Sequence, residues 1–285
     1  MQKKEYPVTH AASLLPFLLE QVRGQSRNNI KSLLTRGQVQ VDGITVTRHD
    51  HSLQPGQTVT VLPQSAAETK APFPILYEDG HILVIDKPAG LLSMATEREK
   101  VRTAYRMATD YVCRTDPRGR VFIVHRLDRA TSGVLLFAKD EPTKRAYQDH
   151  WDTLVDRRGY LAVVEGRPPR QADTVRTLLR ENAAHKVYSV RSGGKEAVTH
   201  YTTLGAGTEY TLLEVNIDTG RKNQIRAHLS ELGCPVAGDW DYGAATDPLG
   251  RLCLHAHVLI LTDPFTGEKR TFHAPEPRGF RRLVR

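Results

Sequence analysis

Apolar positions along this chain recur with two different periods, and the change of period divides it. Leu14, Leu15, Leu18, Leu19 and Val22 share one face at helical spacing, with Ser13 placed as the cap and Pro16 in the first turn, where its missing N–H is tolerated. Ser26 is placed to cap a second helix that turns Ile30, Leu33 and Leu34 inward and stops at Gly37. Val39 and Val41, the Asp42-Gly43 turn, then Ile44 and Val46 predict a hairpin, and Thr58 to Leu62 a further strand.

Residues 63–74, P-Q-S-A-A-E-T-K-A-P-F-P, carry no period and few large apolar side chains, which predicts a linker between a unit at 13–62 and one at 75–285. Beyond it the two-residue period dominates. Strands are expected at Ile82–Ile85, Val121–Val124, Val134–Ala138, Tyr160–Val164, Ala197–Thr203, Tyr210–Ile217 and Leu252–Leu261. Helices are expected around Val101–Val112, Pro142–Thr153 and Gln224–Leu232. Many strands with scattered helices read as α+β rather than as repeated βαβ units.

Composition adds a charge bias. The 285 residues contain 40 Lys and Arg against 32 Asp and Glu, a net charge of +8, which favours a polyanionic partner such as nucleic acid. No apolar run approaches a membrane span, and the apolar segment Ala11–Leu19 lacks a signal-cleavage pattern. Cys113, Cys234 and Cys253 show no paired spacing, so a disulfide framework is not expected and a cytoplasmic protein is the simplest reading.

Three segments concentrate polar groups at strand ends. Val124 to Lys139 reads V-H-R-L-D-R-A-T-S-G-V-L-L-F-A-K, with Asp128 between Arg126 and Arg129, and then a turn through Thr131-Ser132-Gly133. Neighbouring cations favour an ionised carboxylate, although a polar hairpin loop accounts for the same residues. In R-R-G-Y-L-A-V-V-E-G (157–166), Tyr160 opens a strand and is either a half-buried strand aromatic or a site residue. In residues 216–233 Asn223 is placed to cap a helix carrying Ile225, Leu229 and Leu232 inward. Arg226 in its first turn opposes the helix dipole, so it either faces solvent or has a carboxylate partner.

These segments, in this order, resemble the RluA-type pseudouridine synthases. H-R-L-D (125–128) with T-S-G (131–133), L-Y-E-D-G-H-I-L-V-I-D-K-P-A-G-L-L-S (76–93), G-K-E-A-V-T-H-Y (194–201), T-G-R-K-N-Q-I-R-A-H-L (219–229), G-D-W-D-Y-G (238–243) and L-H-A-H (254–257) carry the resemblance. Asn223 stands where many members carry histidine, and is read as a helix cap instead. Residues 26–43, S-R-N-N-I-K-S-L-L-T-R-G-Q-V-Q-V-D-G, are similar to the small RNA-binding domain of ribosomal protein S-four, with Pro16 a departure from its pattern.

The resemblance implies an α+β catalytic domain with a mixed, mainly antiparallel sheet and a central cleft, behind a small RNA-binding domain. It implies an isomerase that converts uridine to pseudouridine, most simply in large-subunit ribosomal RNA, with transfer RNA as the alternative target. Asp128 would be the nucleophile, Arg226 its ion-pair partner, Tyr160 the ring stacked on uracil and a candidate acceptor of its C5 proton, and Ile225 an apolar wall. Arg126 would enter the space left by the flipped base, and Arg27 and Lys31, four apart on one helix face, would contact phosphates. It implies no cofactor and no metal, because the isomerisation is redox-neutral and a carboxylate supplies the covalent chemistry. A monomer is the expected state. Two rivals are weaker. A protein kinase needs a glycine-rich loop before its lysine, and Phe73 to Ile85 contains only Gly80. A non-catalytic RNA-binding assembly factor would not need Asp128, Tyr160 and Arg226 together.

Overall fold

The computed structural model describes residues 3–35, 37–62, 71–97, 99–116 and 118–285. The chain forms two compact units, divided between Lys70 and Ala71.

The first unit runs β1 (Lys4–Pro7), β2 (Ala12–Ser13), α1 (Leu14–Gln21), α2 (Arg27–Thr35), β3 (Val39–Val41), β4 (Ile44–Thr45), β5 (Ser52–Leu53) and β6 (Thr58–Val61). Its main sheet has the order β1-β6-β3-β4, and β2 pairs with β5. Because β1 pairs along β6, the sheet takes in residues ahead of position 13. Leu14, Leu18, Ile30, Leu34, Val39 and Val59 form its core. Ser26 accepts the Asn29 N–H at 3.2 Å and starts α2 as expected. Ser13 occupies the cap position of α1, but its side chain makes no capping bond.

Of the expected linker, residues 63–70 lie outside the described residues. Ala71 and Phe73 pack into the second unit, where Phe73 is buried. That unit contains β7 (Ile75–Glu78), β8 (Ile82–Lys87), α3 (Ala104–Val112), β9 (Phe122–Ile123), β10 (Ser132–Ala138), α4 (Glu141–Asp149), α5 (Trp151–Leu154) and β11 (Val155–Glu165). It continues through β12 (Ala172–Glu181), β13 (Val187–Val190), β14 (Lys195–Ala206), β15 (Tyr210–Ile217), α6 (Gln224–Glu231), β16 (Leu254–Thr262) and β17 (Lys269–His273).

One eleven-stranded sheet organises it, in the order β13-β12-β14-β15-β11-β16-β10-β8-β7, with β17 added to β16 and β9 to β10. All named pairings in this sheet are antiparallel except a short parallel contact of β10 with β16, Ser132 to His255 and Gly133 to Ala256. This is the mixed, mainly antiparallel α+β sheet that the sequence implies.

The parallel contact explains T-S-G. These residues are the entry into β10 rather than a turn: Gly133 has φ of +112°, and a Cβ there would collide with the backbone of Ala256. The Ser132 hydroxyl meets His255 Nδ1 at 2.7 Å and accepts from Arg251 at 2.7 Å. The register then places four residues in one row across four strands: Tyr160 opposite Ala256, Ala256 opposite Gly133, and Gly133 opposite Lys87.

Two expected elements are shorter or broken. The run Val121–Val124 pairs only at Phe122 and Ile123, since the chain leaves the sheet to form the Asp128 loop. The expected helix across Pro142–Thr153 divides at His150, whose backbone is not helical.

Candidate functional site

A cleft of about 950 Å³ opens in the second unit and brings five sequence-identified residues together: Arg126, Asp128, Tyr160, Ile225 and Arg226. The loop after β9 supplies the first two, β11 supplies Tyr160, and the first turn of α6 supplies Ile225 and Arg226. Arg27 and Lys31 belong to the first unit, where both are exposed on α2.

Ser93 and Lys87 from other segments, and His125 at the head of the loop, fix the Asp128 loop. Ser93 takes both backbone groups of Leu127, donating to its carbonyl at 2.6 Å and accepting from its N–H at 3.1 Å. His125 Nε2 accepts the Leu136 N–H at 3.1 Å, and its ring lies 5.1 Å from that of Trp151. Burial and the charge of Arg158 push this imidazole down to about 3, so it stays a neutral acceptor. On the far side, the Arg129 carbonyl accepts from the Gly90 N–H at 2.9 Å and from Lys87 Nζ at 3.2 Å. The residues on both sides of Asp128 are therefore held by the sheet and its neighbouring turns.

Arg226 departs from expectation in an informative way. It is 9% exposed and not solvent-facing. Its carboxylate partner is Asp239, bound through Nε at 2.7 Å and Nη2 at 2.6 Å, with exposed Asp241 at 3.2 Å. Among the described residues Arg226 makes no direct ion pair with Asp128; it acts on that carboxyl through its field. The guanidinium also lies over the Tyr242 ring, 4.7 Å from its centre. Against the opposing effect of burial, the Asp239 hydrogen bonds raise its pKa and keep it charged.

Asn223 is likewise reassigned. It stands at the cap position of α6 with φ of +51°, but its side chain makes no capping bond. Its Oδ1 instead accepts from Arg226 Nη1 at 2.9 Å. The turn before α6 is closed by buried Gln224, whose Oε1 accepts from Thr219 Oγ1 and from the Arg221 N–H.

Burial pushes the Asp128 carboxyl up from its ordinary value, opposed in turn by Arg226, Lys87, Lys222 and Arg126. The Tyr160 phenol is pushed up to about 12 by burial, with Arg158 opposing and Asp128 reinforcing. Arg126 is exposed and among the described residues makes only a weak contact, to Met94 Sδ at 3.6 Å, so it is free to reorient. Among the described residues six Arg and Lys line the cleft (Arg126, Arg129, Arg158, Arg221, Lys222 and Arg226) against three carboxylates, which suits a polyanion.

Lys87, Ser93 and Asp239 carry this geometry without a role having been assigned to them from sequence. Asp239 stands within G-D-W-D-Y-G and Lys87 closes the apolar run I-L-V-I-D-K, so their motifs were visible although their partners were not. Among the described residues no three His, Cys, Asp or Glu side chains are grouped to hold a metal ion, and no helix is long and apolar enough to cross a membrane.

A basic cleft with aromatic and apolar walls around a partly buried carboxyl suits a polyanionic strand. The family model of RNA pseudouridylate synthase matches residues 81–231, and the chain belongs to that family of RNA isomerases. It is 34% identical over 280 residues to the ribosomal large subunit pseudouridine synthase D of Xanthomonas campestris, covering 91% of this chain and 84% of that protein. It is 32% identical over 256 residues to the uncharacterized RNA pseudouridine synthase YjbO of Bacillus subtilis, covering 87% and 90% of the two chains. Among solved structures it is similar to human RNA pseudouridylate synthase domain containing 4, with a TM-score of 0.60, 26% identity and coverage of 74% and 92%.

Proposed function

We propose that the chain isomerises uridines in large-subunit ribosomal RNA, with Asp128 as the nucleophile. The observation that carries this reading is the placement of the Asp128 carboxyl. It lies at the cleft, partly buried, in the field of four cations, beside the Tyr160 ring and the Ile225 side chain.

The reaction breaks the bond from ribose C1′ to uracil N1, turns the base, and joins C1′ to C5, while N1 gains a proton and C5 loses one. An ionised carboxylate serves attack on C1′, proton removal towards a glycal and addition to the base alike. Arg226 and the other cleft cations favour that ionised form against burial. Tyr160 and Ile225 form the walls that receive the extruded base. The Tyr160 phenol, protonated at neutral pH even at its ordinary value, is pushed further up by burial, so its ring rather than a phenolate meets the uracil. Arg126, exposed at the rim, fills the gap left in the RNA stack.

The ribosomal target rests on relatives named ribosomal large subunit pseudouridine synthase D, which match 88–91% of this chain. The first unit serves as an RNA-docking module through exposed Arg27 and Lys31 on α2. Its RNA-binding role rests on the likeness of residues 26–43 to the ribosomal protein S-four domain.

The test is pseudouridine mapping in RNA from a strain lacking the gene, complemented with the wild type or with Asp128→Asn. Sites in large-subunit RNA that return only with the wild type support the reading. Sites restored by Asp128→Asn remove the nucleophile, and sites confined to transfer RNA remove the ribosomal target.

A further inference from the structure

We propose that Trp240 and Lys186 form a nucleotide subsite beside the cleft: the indole stacks on a base flanking the target uridine, and the ammonium meets a backbone phosphate. The subsite rests on RNA being the substrate, and stands whichever RNA is modified and whichever group attacks.

Trp240 is 63% exposed, more than any other large apolar side chain among the described residues of the second unit. An indole left in water forgoes a large gain from burial. Its backbone is nevertheless fixed. Trp240 opens a single 3₁₀ turn, Trp240–Tyr242, and the residue before it is the buried Asp239 that Arg226 grips. The Tyr242 N–H donates to the Asp239 carbonyl at 3.0 Å, and the Tyr242 carbonyl accepts from Ser230 Oγ at 2.6 Å. The turn is held in place while its indole stays open to solvent, as a stacking platform for a base requires.

Tyr242 ties this turn to the hairpin between β12 and β13. Its hydroxyl accepts the Val187 N–H at 3.0 Å, and its ring meets the Arg226 guanidinium at 4.7 Å and Lys186 Nζ at 5.4 Å. Lys186 is exposed and, among the described residues, its Nζ makes no ion pair, whereas Lys222 of the cleft is held by Glu181 at 2.6 Å. Asp241, the carboxylate within the turn, accepts from Arg226 Nη2 at 3.2 Å. That leaves Lys186 as an uncompensated cation at the turn, the sign that a phosphate needs. Trp240 and Lys186 lie outside the cavity that holds Asp128, but each adjoins a residue lining it. His185 precedes Lys186, and Arg226 is bonded to the residues on both sides of Trp240. Tyr160 and Ile225 already wall the cavity for the target base, so Trp240 serves its neighbour. Extruding a base strips the flanking base of a stacking partner, and an indole outside the pocket replaces it.

The test uses the full-length protein and total RNA labelled with tritium at uracil C5, taken from a strain lacking the gene. Half-saturation of tritium release is read against salt for wild type, Trp240→Ala, Trp240→Phe and Lys186→Gln. Trp240→Ala is expected to raise half-saturation on the order of 5-fold or more, with the log–log salt slope unchanged, because stacking displaces no counterion. Trp240→Phe keeps a ring and is expected to recover most of that loss. Lys186→Gln is expected to give the other signature: the slope falls by about 0.7, the share of one phosphate on a single strand. Both side chains are exposed, so Tm is expected to stay within about 2 °C of the wild type in every variant. Unchanged half-saturation in Trp240→Ala, a Phe variant as weak as the Ala variant, or an unmoved slope in Lys186→Gln overturns the proposal. Tritium release by Asp128→Asn would instead remove the nucleophile, and would leave the subsite standing.

Discussion

Arg226 grips Asp239 with two hydrogen bonds of 2.7 and 2.6 Å and reaches Asp128 only through space. The guanidinium is consequently anchored independently of the Asp128 carboxyl. Asp239 is 2% exposed, so Asp239→Asn leaves a buried, poorly matched cation, a change that typically costs about 3–5 kcal/mol. A marked fall in Tm and a loss of turnover on the order of 10-fold or more are expected. Asp241→Asn is the control: Asp241 is exposed, and its removal is expected to change stability by less than about 1 kcal/mol. Thermal melts and tritium release on both variants check the contrast.

Asp128→Asn is expected to abolish turnover, by on the order of 10⁴-fold or more, while retaining RNA binding. It is also expected to melt at a higher temperature than the wild type at neutral pH. The sign follows from burial. The folded carboxyl titrates above its ordinary value, so its contribution to stability is fully present below the unfolded pKa and is lost as pH rises through the folded one. The Tm advantage of Asp128→Asn should therefore shrink on acidification, and a variant no more stable than the wild type at neutral pH would contradict this.

His125 gives the opposite pH dependence. Its folded pKa is pushed from 6.5 down to about 3, so the unfolded chain takes a proton that the native loop refuses. Its stabilising contribution is present above about 6.5 and is lost as pH falls towards about 3. His125→Gln is expected to flatten the acid side of the stability curve. Urea midpoints measured across that window, for wild type and variant, read the difference in slope.

Gly133→Ala combines a strained backbone with a collision against Ala256. Positive φ costs a residue with a Cβ about 1–3 kcal/mol, and overpacking adds a similar amount. A loss of at least about 2 kcal/mol in urea unfolding is expected. Turnover at a temperature where the variant remains folded is also expected to fall.

Arg27→Ala with Lys31→Ala is expected to weaken RNA binding and to reduce the salt dependence of that binding by up to about 2 in log–log slope. The single-turnover rate at saturating RNA should stay within about twofold of the wild type. A double variant with unchanged affinity and unchanged salt slope would leave the first unit without its proposed role.

Much of the fold was readable because local chemistry and burial coincide. Ser26 and Gly37 bracket α2, and the central strand β10 is a continuous apolar run buried at every position. What escaped depends on distant partners. β1 and β12 are largely exposed and rich in charged or hydroxyl side chains, so pairing rather than apolar alternation defines them. The cleft residues Asp128, Tyr160 and Arg226 stood out by motif, yet the Arg226 partner lies 13 residues downstream in a turn whose path no periodicity marks. Asn223 looked like a cap because such residues commonly are; its left-handed backbone turns the side chain towards Arg226 instead. Lys87 resembled the polar end of a strand, and only the closing of two turns over it makes it an interior group.

The row from Lys87 through Gly133 and Ala256 to Tyr160 makes the sheet a ruler. Neighbouring strands keep a spacing of about 4.8 Å, and register changes in discrete steps rather than by small drift. The two walls of the cleft are therefore graduated on one scale, with the glycine contact as its zero mark. Loops at the rim can diverge without recalibrating the distance between the Asp128 loop and Tyr160.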